Sequence, residues 1–235
     1  MTLVIDPNNL PEIQFTVTED HQSLLDDIHH RKILIEKFNT RVKLTPCVDR
    51  ISDAFLFVQQ EAQLKRGFSE ESICVIHKLL RQSGEYRKDT PGVSTCVRDF
   101  VSYPYFPPNP EEILVLMQKY EKRYAFIGEN IEPLQQICEA YLIFVLIHPF
   151  EDGNGRTGRL ICSGLMLQYG YGIFAPHLEE RWGKESRQHA DAFKAGIKNY
   201  LAWLSHPEDL NKYFSRFYVY FLRELLVVSD LILDS

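Results

Sequence analysis

The sequence has no hydrophobic run long enough to cross a membrane. The longest uninterrupted apolar stretch is the eight residues from Ala140 to Ile147, whereas a transmembrane helix needs about 20. Residues 1–15 contain neither the basic cluster nor the long apolar stretch of a secretory signal peptide. We therefore expect a cytoplasmic protein with no membrane partner.

Paired cysteines and an excess of positive charge are also missing. The 5 cysteines form no CxxC pair, which argues against a disulfide framework or a zinc site and favours a reducing compartment. With 26 Lys and Arg against 32 Asp and Glu, the formal net charge is −6, the wrong sign for binding the backbone of a nucleic acid. We expect no nucleic-acid partner, and any phosphate chemistry must depend on a local basic site.

Hydrophobic residues are plentiful and recur with a helical period. They make up 45% of the 235 residues, enough for a sizeable core in one domain, or in one domain with a small appendage. The periodicity predicts an all-α bundle of about eight helices. Their predicted ranges are 22–38, 48–65, 69–84, 110–125, 131–147, 155–169, 186–204 and 208–228.

Capping residues and prolines define several of these boundaries. Ser69 is predicted to be the N-cap of the third helix. Asn109 and Pro110 are typical of a cap and a first helical residue at the start of the fourth. The fifth helix is predicted to end at His148, because a residue that precedes proline disfavours the α region.

Residues 86–106 interrupt the helical pattern. They contain two of the five prolines found between Tyr86 and Pro110, together with Gly92 and many residues that favour strands, including Val93 and Val97. This composition predicts a short two-stranded β-hairpin, which we call the flap.

One segment, from His148 to Arg159, combines residues that suit phosphate chemistry. Glycines on both sides of Asn154 let backbone N–H groups converge, and the helix that starts there attracts anions. Arg156 and Arg159 lie on neighbouring ridges of its first turn, next to these amides. Asp152 is a hard oxygen ligand suited to Mg²⁺, and a histidine can accept a proton near neutral pH. A base, a metal ligand and an anion cradle therefore lie within one short segment.

This segment resembles the Fic (Fic/Doc) family, whose signature HPFx(D/E)GNGRxxR is filled at every specified position. The resemblance extends to Gly84-Glu85-Tyr86-Arg87, to the flap, and to Phe106-Pro107-Pro108 before the next helix. It implies a Fic-type helical bundle over residues 69–235, with residues 1–68 as an N-terminal helical extension.

The resemblance also implies a reaction, the transfer of AMP from ATP to a Ser, Thr or Tyr hydroxyl of a target protein. His148 would be the general base, and Asp152 would hold Mg²⁺. The nucleotide would be bound by Gly153, Asn154 and Gly155 in an anion hole, by Arg156 near the β-phosphate and by Arg159 at the γ-phosphate. The flap would pair with a strand of the target through Val93, Ser94, Thr95, Cys96 and Val97.

Other residues have a simpler structural interpretation. Phe150 is predicted to anchor the motif loop in the core, and Glu151 to be exposed. His29 and His30 are adjacent, so their rings diverge, and a surface position is favoured over a metal site. The aromatic residues near the C-terminus are predicted to be core: Trp203, Tyr213, Phe214, Phe217, Tyr218, Tyr220 and Phe221.

The chain departs from the family in its inhibitory element. Many members carry (S/T)xxxE(G/N), whose Glu pairs with the second motif arginine, but no glutamate here fits that pattern; the nearest are Glu61 and Glu129. Three explanations stay open: no self-inhibition, a separate antitoxin-like inhibitor chain, or a motif that has diverged. Candidates for contact with the nucleotide base are Trp182, His189 and Phe193.

Two rival functions remain at this point. The transferred group could be UMP, phosphate or phosphocholine instead of AMP, although the complete GNGR and Arg159 favour a triphosphate held inward. The chain could also be a nucleotide-binding regulator without transfer, but such a protein needs no base at His148. The apolar stripes of the first and last helices could support a homo-oligomer.

Overall fold

The computed structural model describes residues 18–38, 51–89, 107–126, 131–184, 192 and 215–234. Within these ranges it is entirely helical, with eight helices and no strand, which confirms the predicted all-α class. They are α1 (Glu19–Phe38), α2 (Ser52–Gln63), α3 (Glu70–Leu79), α4 (Pro110–Tyr124), α5 (Pro133–Ile147), α6 (Asn154–Gln168), α7 (Ala175–Lys184) and α8 (Ser215–Leu233). None of the helices in the described ranges has both the length and the hydropathy that a membrane span requires.

The helix starts follow the predicted capping residues. Ser69 accepts a hydrogen bond from the Ser72 N–H at 3.1 Å and caps α3. At the start of α4, the Asn109 N–H donates to the Glu112 carboxylate at 2.8 Å, ahead of Pro110 in the first turn. Each bond gives an acceptor to a backbone N–H at the start of a helix, where no intrahelical carbonyl is available.

The centre of the bundle is α5. Nearly all of its residues are buried, because it packs against α4, α6 and α8 on different sides. A short connection of residues 148–153 joins it to α6, so the two helices are neighbours that run in opposite directions. The end of α5 and the start of α6 therefore meet at one edge of the core.

Two glycines let α6 approach its neighbours closely. A Cβ at Gly158 would lie 3.1 Å from Phe144 and 3.2 Å from Tyr141, both on α5. A Cβ at Gly164 would lie 2.2 Å from Phe68 and 2.7 Å from Val58, so no side chain fits there. The position of α6 is thus fixed on two sides, which in turn fixes its N-terminus.

The first and last helices cover each other's apolar faces. Leu25, Ile28 and Ile35 of α1 are buried in the same core as the inner face of α8. Arg31 reinforces this packing by donating to Ser229 at 3.2 Å and by pairing with Asp230. The apolar faces of α1 and α8, on which the homo-oligomer prediction depended, are therefore buried against each other within the chain. The domain boundary at 68/69 stays a prediction.

Several boundaries differ from those predicted. α3 ends at Leu79, five residues before Gly84, because Arg81 adopts a left-handed conformation with φ 60°. α7 lies between the predicted helices 155–169 and 186–204, and it is separated from α6 by Gly170, whose φ is 84°. The predicted helix 186–204 lies outside the described residues except for position 192, and the flap is described only at 86–89, where the chain is irregular.

Candidate active site

Two residues in the connection between α5 and α6 have a positive φ. His148 ends α5 with φ 51° and ψ 56°, and Gly153 precedes α6 with φ 79°. The left-handed region is costly for a residue with a Cβ, so His148 needs contacts that hold it there. A Cβ at Gly153 would also lie 3.2 Å from the His77 ring, and glycine is therefore required at this position.

The imidazole of His148 is held neutral at the lip of the core. Burial lowers its pKa to about 4, with a further contribution from the positive charge of Arg87. An imidazole N–H donates to the Val145 carbonyl, which fixes the ring against the last turn of α5. In the neutral tautomer the other ring nitrogen carries the lone pair that a general base uses.

Asn154 closes the motif loop with its side chain. Its Oδ1 accepts from the Phe150 N–H at 2.9 Å, and its Nδ2 donates to the Phe150 carbonyl at 2.7 Å. The side chain is only 3% exposed, so these two bonds satisfy groups that are shielded from water. What Asn154 offers a ligand is therefore its backbone N–H at the start of α6, rather than its amide side chain.

Phe150 anchors the loop, as the sequence predicts, and its partner is a histidine that the sequence analysis did not single out. The rings of Phe150 and His77 are stacked, with centroids 3.7 Å apart and planes 4° apart. His77 Nδ1 accepts from the Gly84 N–H at 3.0 Å, so Nε2 carries the proton and donates to the Asp152 carbonyl at 2.9 Å. Burial lowers the pKa of His77, in keeping with this neutral tautomer.

A second buried residue, Arg87, reaches the same loop. Its Nε donates to the His148 carbonyl at 2.8 Å, and its backbone N–H donates to the Pro149 carbonyl at 2.9 Å. The family pattern includes Arg87, but the sequence assigns it no role. The His148 carbonyl is 61 positions away along the chain, and no local pattern connects it with Arg87.

The outer side of the loop carries charge. Arg156 Nη2 lies 3.1 Å from Asp152 Oδ2, and the two side chains are 40% and 79% exposed. Arg159 folds back towards the start of α6, because its Nη1 lies 3.7 Å from where a Cβ of Gly155 would be. The first N–H groups of a helix have no intrahelical acceptor, so two guanidinium groups flank a group of donors that attracts anions.

The donor set fits a magnesium ion that arrives with a polyphosphate. Asp152 supplies a single exposed carboxylate beside the anion-attracting start of α6. Proteins commonly bind Mg²⁺ through one or two carboxylates together with substrate phosphates. Among the described residues, no group of three or more His, Cys, Asp and Glu side chains could hold a metal alone.

The structure thus brings most of the predicted site residues together in the α5–α6 junction: His148, Asp152, Gly153, Asn154, Gly155, Arg156 and Arg159. The predicted target-docking residues Val93, Ser94, Thr95, Cys96 and Val97 lie outside the described residues, as do His189 and Phe193. The prediction that Trp182 contacts the nucleotide base is wrong. Trp182 is 2% exposed, and its ring packs against Tyr141 and Phe221 in the core.

Glu61, one of the two near matches to the inhibitory pattern, binds residues at the α2–α3 junction. Its carboxylate accepts a hydrogen bond from the Ser72 hydroxyl at the start of α3 and lies 3.8 Å from Arg66. These contacts place it at the α2–α3 junction. Glu129 lies outside the described residues.

Comparisons with known proteins show a similar family and a similar fold. Residues 67–166 match the model of the Fic/DOC family. A protein adenylyltransferase Fic from Drosophila willistoni is 34% identical over 91 residues, which is 38% of this chain and 16% of that protein. The protein of the same name from Drosophila melanogaster is 37% identical over 68 residues, or 28% of this chain and 14% of that protein.

Solved structures share the fold. A Fic domain containing signaling protein from Bacteroides thetaiotaomicron VPI-5482 aligns with a TM-score of 0.55 and 17% identity, covering 93% of each chain. A Fic family protein from Desulfovibrio desulfuricans G20 gives a TM-score of 0.55 and 16% identity, covering 93% of this chain and 67% of that one. The motif at the α5–α6 junction lies inside the segment that the family model matches. The segment at residues 67–166 is therefore similar to the Fic/DOC family, and the chain has the fold of solved Fic proteins.

Proposed function

We propose that this chain is a protein adenylyltransferase, which moves AMP from ATP to the hydroxyl of a Ser, Thr or Tyr on a target protein. One observation carries the proposal: the neutral imidazole of His148 lies in the same short junction as the anion-attracting start of α6 and its two arginines. The curated relatives bear the name protein adenylyltransferase, and the matched segment is a small part of their length.

The reaction needs a base beside an anion site, and the junction supplies both. The target oxygen attacks the α-phosphorus of ATP, the bond from that phosphorus to the bridging oxygen breaks, and pyrophosphate leaves. The hydroxyl proton passes to the imidazole of His148. Positioning of the two reactants and neutralisation of developing charge supply the rest of the rate enhancement.

The triphosphate is held by the first turn of α6. The backbone N–H groups of Gly153, Asn154 and Gly155 line the anion hole, Arg156 binds near the β-phosphate, and Arg159 binds the γ-phosphate. Asp152 would hold Mg²⁺, which would supply neutralisation of the negative charge on the phosphates. Because Asp152 and Arg156 pair with each other in this structure, ATP binding exchanges one exposed ion pair for two new contacts.

The target protein is proposed to dock on the flap through residues 93–97. Pairing of an extended target segment with the flap would place the hydroxyl in line with the α-phosphorus. Backbone hydrogen bonds would align the target, and alternate side chains would select it.

The position of a radioactive label separates this proposal from its rivals. The protein is incubated with Mg²⁺ and a cell lysate, using ATP labelled at the α-phosphate or at the γ-phosphate, and UTP labelled at the α-phosphate. Relative to lysate without the added protein, new protein label from α-labelled ATP alone is the expected result. Label from γ-labelled ATP would mean phosphate transfer, and preferential label from UTP would mean UMP transfer. His148→Ala serves as the control, and equal labelling by that variant would contradict the proposed base.

A further inference from the structure

Arg87 is a buried charged side chain outside the motif. It is only 4% exposed, although burying a charge is unfavourable unless hydrogen bonds compensate for lost hydration. It lies in the irregular segment that follows α3, just before the chain enters residues 90–106. The buried guanidinium must therefore be stabilised by hydrogen bonds within the protein.

The guanidinium donates to backbone carbonyls in three different parts of the chain. Nε donates to His148 at 2.8 Å, Nη1 to Asp89 at 3.1 Å, and Nη2 to Pro108. A planar group with five N–H donors in fixed directions can hold several acceptors at once, which a single ammonium group does less well. One side chain therefore connects the end of α5 to the residues on both sides of segment 90–106.

The bond to His148 acts where the backbone is under strain. His148 adopts a left-handed conformation although it has a Cβ and precedes proline. Its carbonyl also lies just beyond the last residue of α5, and the partial negative charge at a helix C-terminus favours a cation there. Together with the bond from the Arg87 N–H to the Pro149 carbonyl, the guanidinium holds the two peptide groups that follow His148.

We propose that Arg87 is a positioning residue: by binding the carbonyls of His148, Asp89 and Pro108, it sets the imidazole and the two ends of segment 90–106 relative to one another. This role rests on the proposed function, in which His148 accepts the proton of the target hydroxyl and residues 93–97 receive the target. Arg87 touches neither substrate. It acts through the backbone of the residues that do.

The positive charge has a second consequence for the same imidazole. Among the described residues, the charged groups that act on His148 are Arg87, which lowers its pKa, and Asp152, which raises it. Arg87 therefore favours the neutral ring, while its hydrogen bonds place that ring. Arg87→Gln removes the charge and part of the donor set, whereas Arg87→Lys keeps the charge and loses the planar fork.

The experiment compares the intact chain with Arg87→Gln and Arg87→Lys by three measurements. NMR follows the titration of the ¹³C-labelled His148 ring without metal or nucleotide, calorimetry gives the affinity for ATP with Mg²⁺, and intact mass gives the rate of self-modification. Arg123→Gln is the matched control. Arg123 is likewise bound to a buried group, Glu139, but this residue lies in the middle of α5, nine positions before His148.

For Arg87→Gln we expect the His148 titration midpoint to rise by about one unit or more. We also expect self-modification to slow by about tenfold or more, with ATP affinity within about twofold of the original chain. For Arg87→Lys we expect a nearly unchanged midpoint and a slowed rate. Arg123→Gln should change none of the three, although it should lower the melting temperature.

An unchanged midpoint and rate in Arg87→Gln would overturn the proposal, and so would full-rate transfer by Arg87→Lys. The same midpoint shift in Arg123→Gln would mean general loosening and would also overturn it. If Arg87→Gln does not fold, Arg87→Lys still decides the question through its rate. If the original chain transfers AMP neither to itself nor to lysate proteins, the proposed function fails, while the titration still tests the placement of His148 by Arg87.

Discussion

The motif loop has an outer and an inner side, and they differ in what holds them. On the outer side, Asp152 and Arg156 form an exposed ion pair, which contributes about 0–1 kcal/mol to stability. On the inner side, Asn154 and Phe150 are buried and bonded to each other, and each buried polar group left without a partner costs about 1–3 kcal/mol. The motif therefore combines two exposed charged residues, Asp152 and Arg156, which can exchange their ion pair for contacts with a ligand, with two buried residues, Asn154 and Phe150, which fix the loop.

His148 lies between the two sides, and its removal has the largest expected effect. His148→Ala should reduce transfer by about 10²- to 10⁴-fold, the usual contribution of a positioned base. ATP affinity should stay the same, because the α6 amides and arginines remain. A radiolabel transfer assay with calorimetry checks both. His29→Ala is the control, since that imidazole bonds Tyr171 elsewhere in the fold, and surviving transfer in His148→Ala would refute the mechanism.

Breaking the inner side at Asn154 should destabilise the fold. Asn154→Ala leaves the N–H and C=O of Phe150 without their partner, which should lower the free energy of unfolding by about 2–4 kcal/mol. Asn154→Asp keeps the acceptor for the Phe150 N–H but places a carboxylate oxygen against the Phe150 carbonyl, so it should lose at least as much. Urea denaturation of both variants measures the difference, and an Asn154→Ala protein as stable as the original chain would show that the clamp is dispensable.

Acid should weaken the protein through His148. Its pKa is about 4 in the folded state and about 6.5 when unfolded. Between these values the unfolded chain binds the extra proton, so stability is full above pH 6.5 and falls towards pH 4, by about 3 kcal/mol for this group. Urea midpoints measured across that range should fall less steeply in His148→Ala. Parallel curves for the two proteins would mean that His148 titrates normally.

Gly153 and Gly155 differ in whether their backbone conformation requires glycine. Gly153→Ala should cost about 1–3 kcal/mol, because φ is 79° and the new Cβ would lie 3.2 Å from His77. Gly155 is helical, and its Cβ would only touch Arg159 at 3.7 Å, so Gly155→Ala should leave stability unchanged or raise it slightly. Thermal melting of the pair tests this, and equal losses would contradict the assigned conformations.

The smallest stability effect is expected on the outer side. Arg156→Gln should change the free energy of unfolding by less than about 1 kcal/mol, because it removes only the exposed pair with Asp152. Its affinity for ATP should nevertheless fall by about tenfold, as one charge-assisted contact is lost. Calorimetry beside thermal melting separates the two, and a large loss of stability would place Arg156 among the inner residues.

The sequence revealed the outer side of the site better than the inner side. Apolar periodicity and Pro149 located α5 and its end, and the residues of the anion site are contiguous from Asp152 to Arg159. His77 could not be recognised, because it sits among apolar residues of α3 and its partner carbonyl is 75 positions away. α7 was hidden by the glycines before it, although Phe174, Leu178 and Trp182 repeat at a helical spacing and are all buried.

The most direct test of the central claim is the intact mass of the purified chain after incubation with ATP and Mg²⁺, measured beside His148→Ala. The account predicts that the original chain gains the mass of one AMP per modified site, and that His148→Ala gains none. An equal gain by both proteins, or a gain of phosphate alone, would contradict the account.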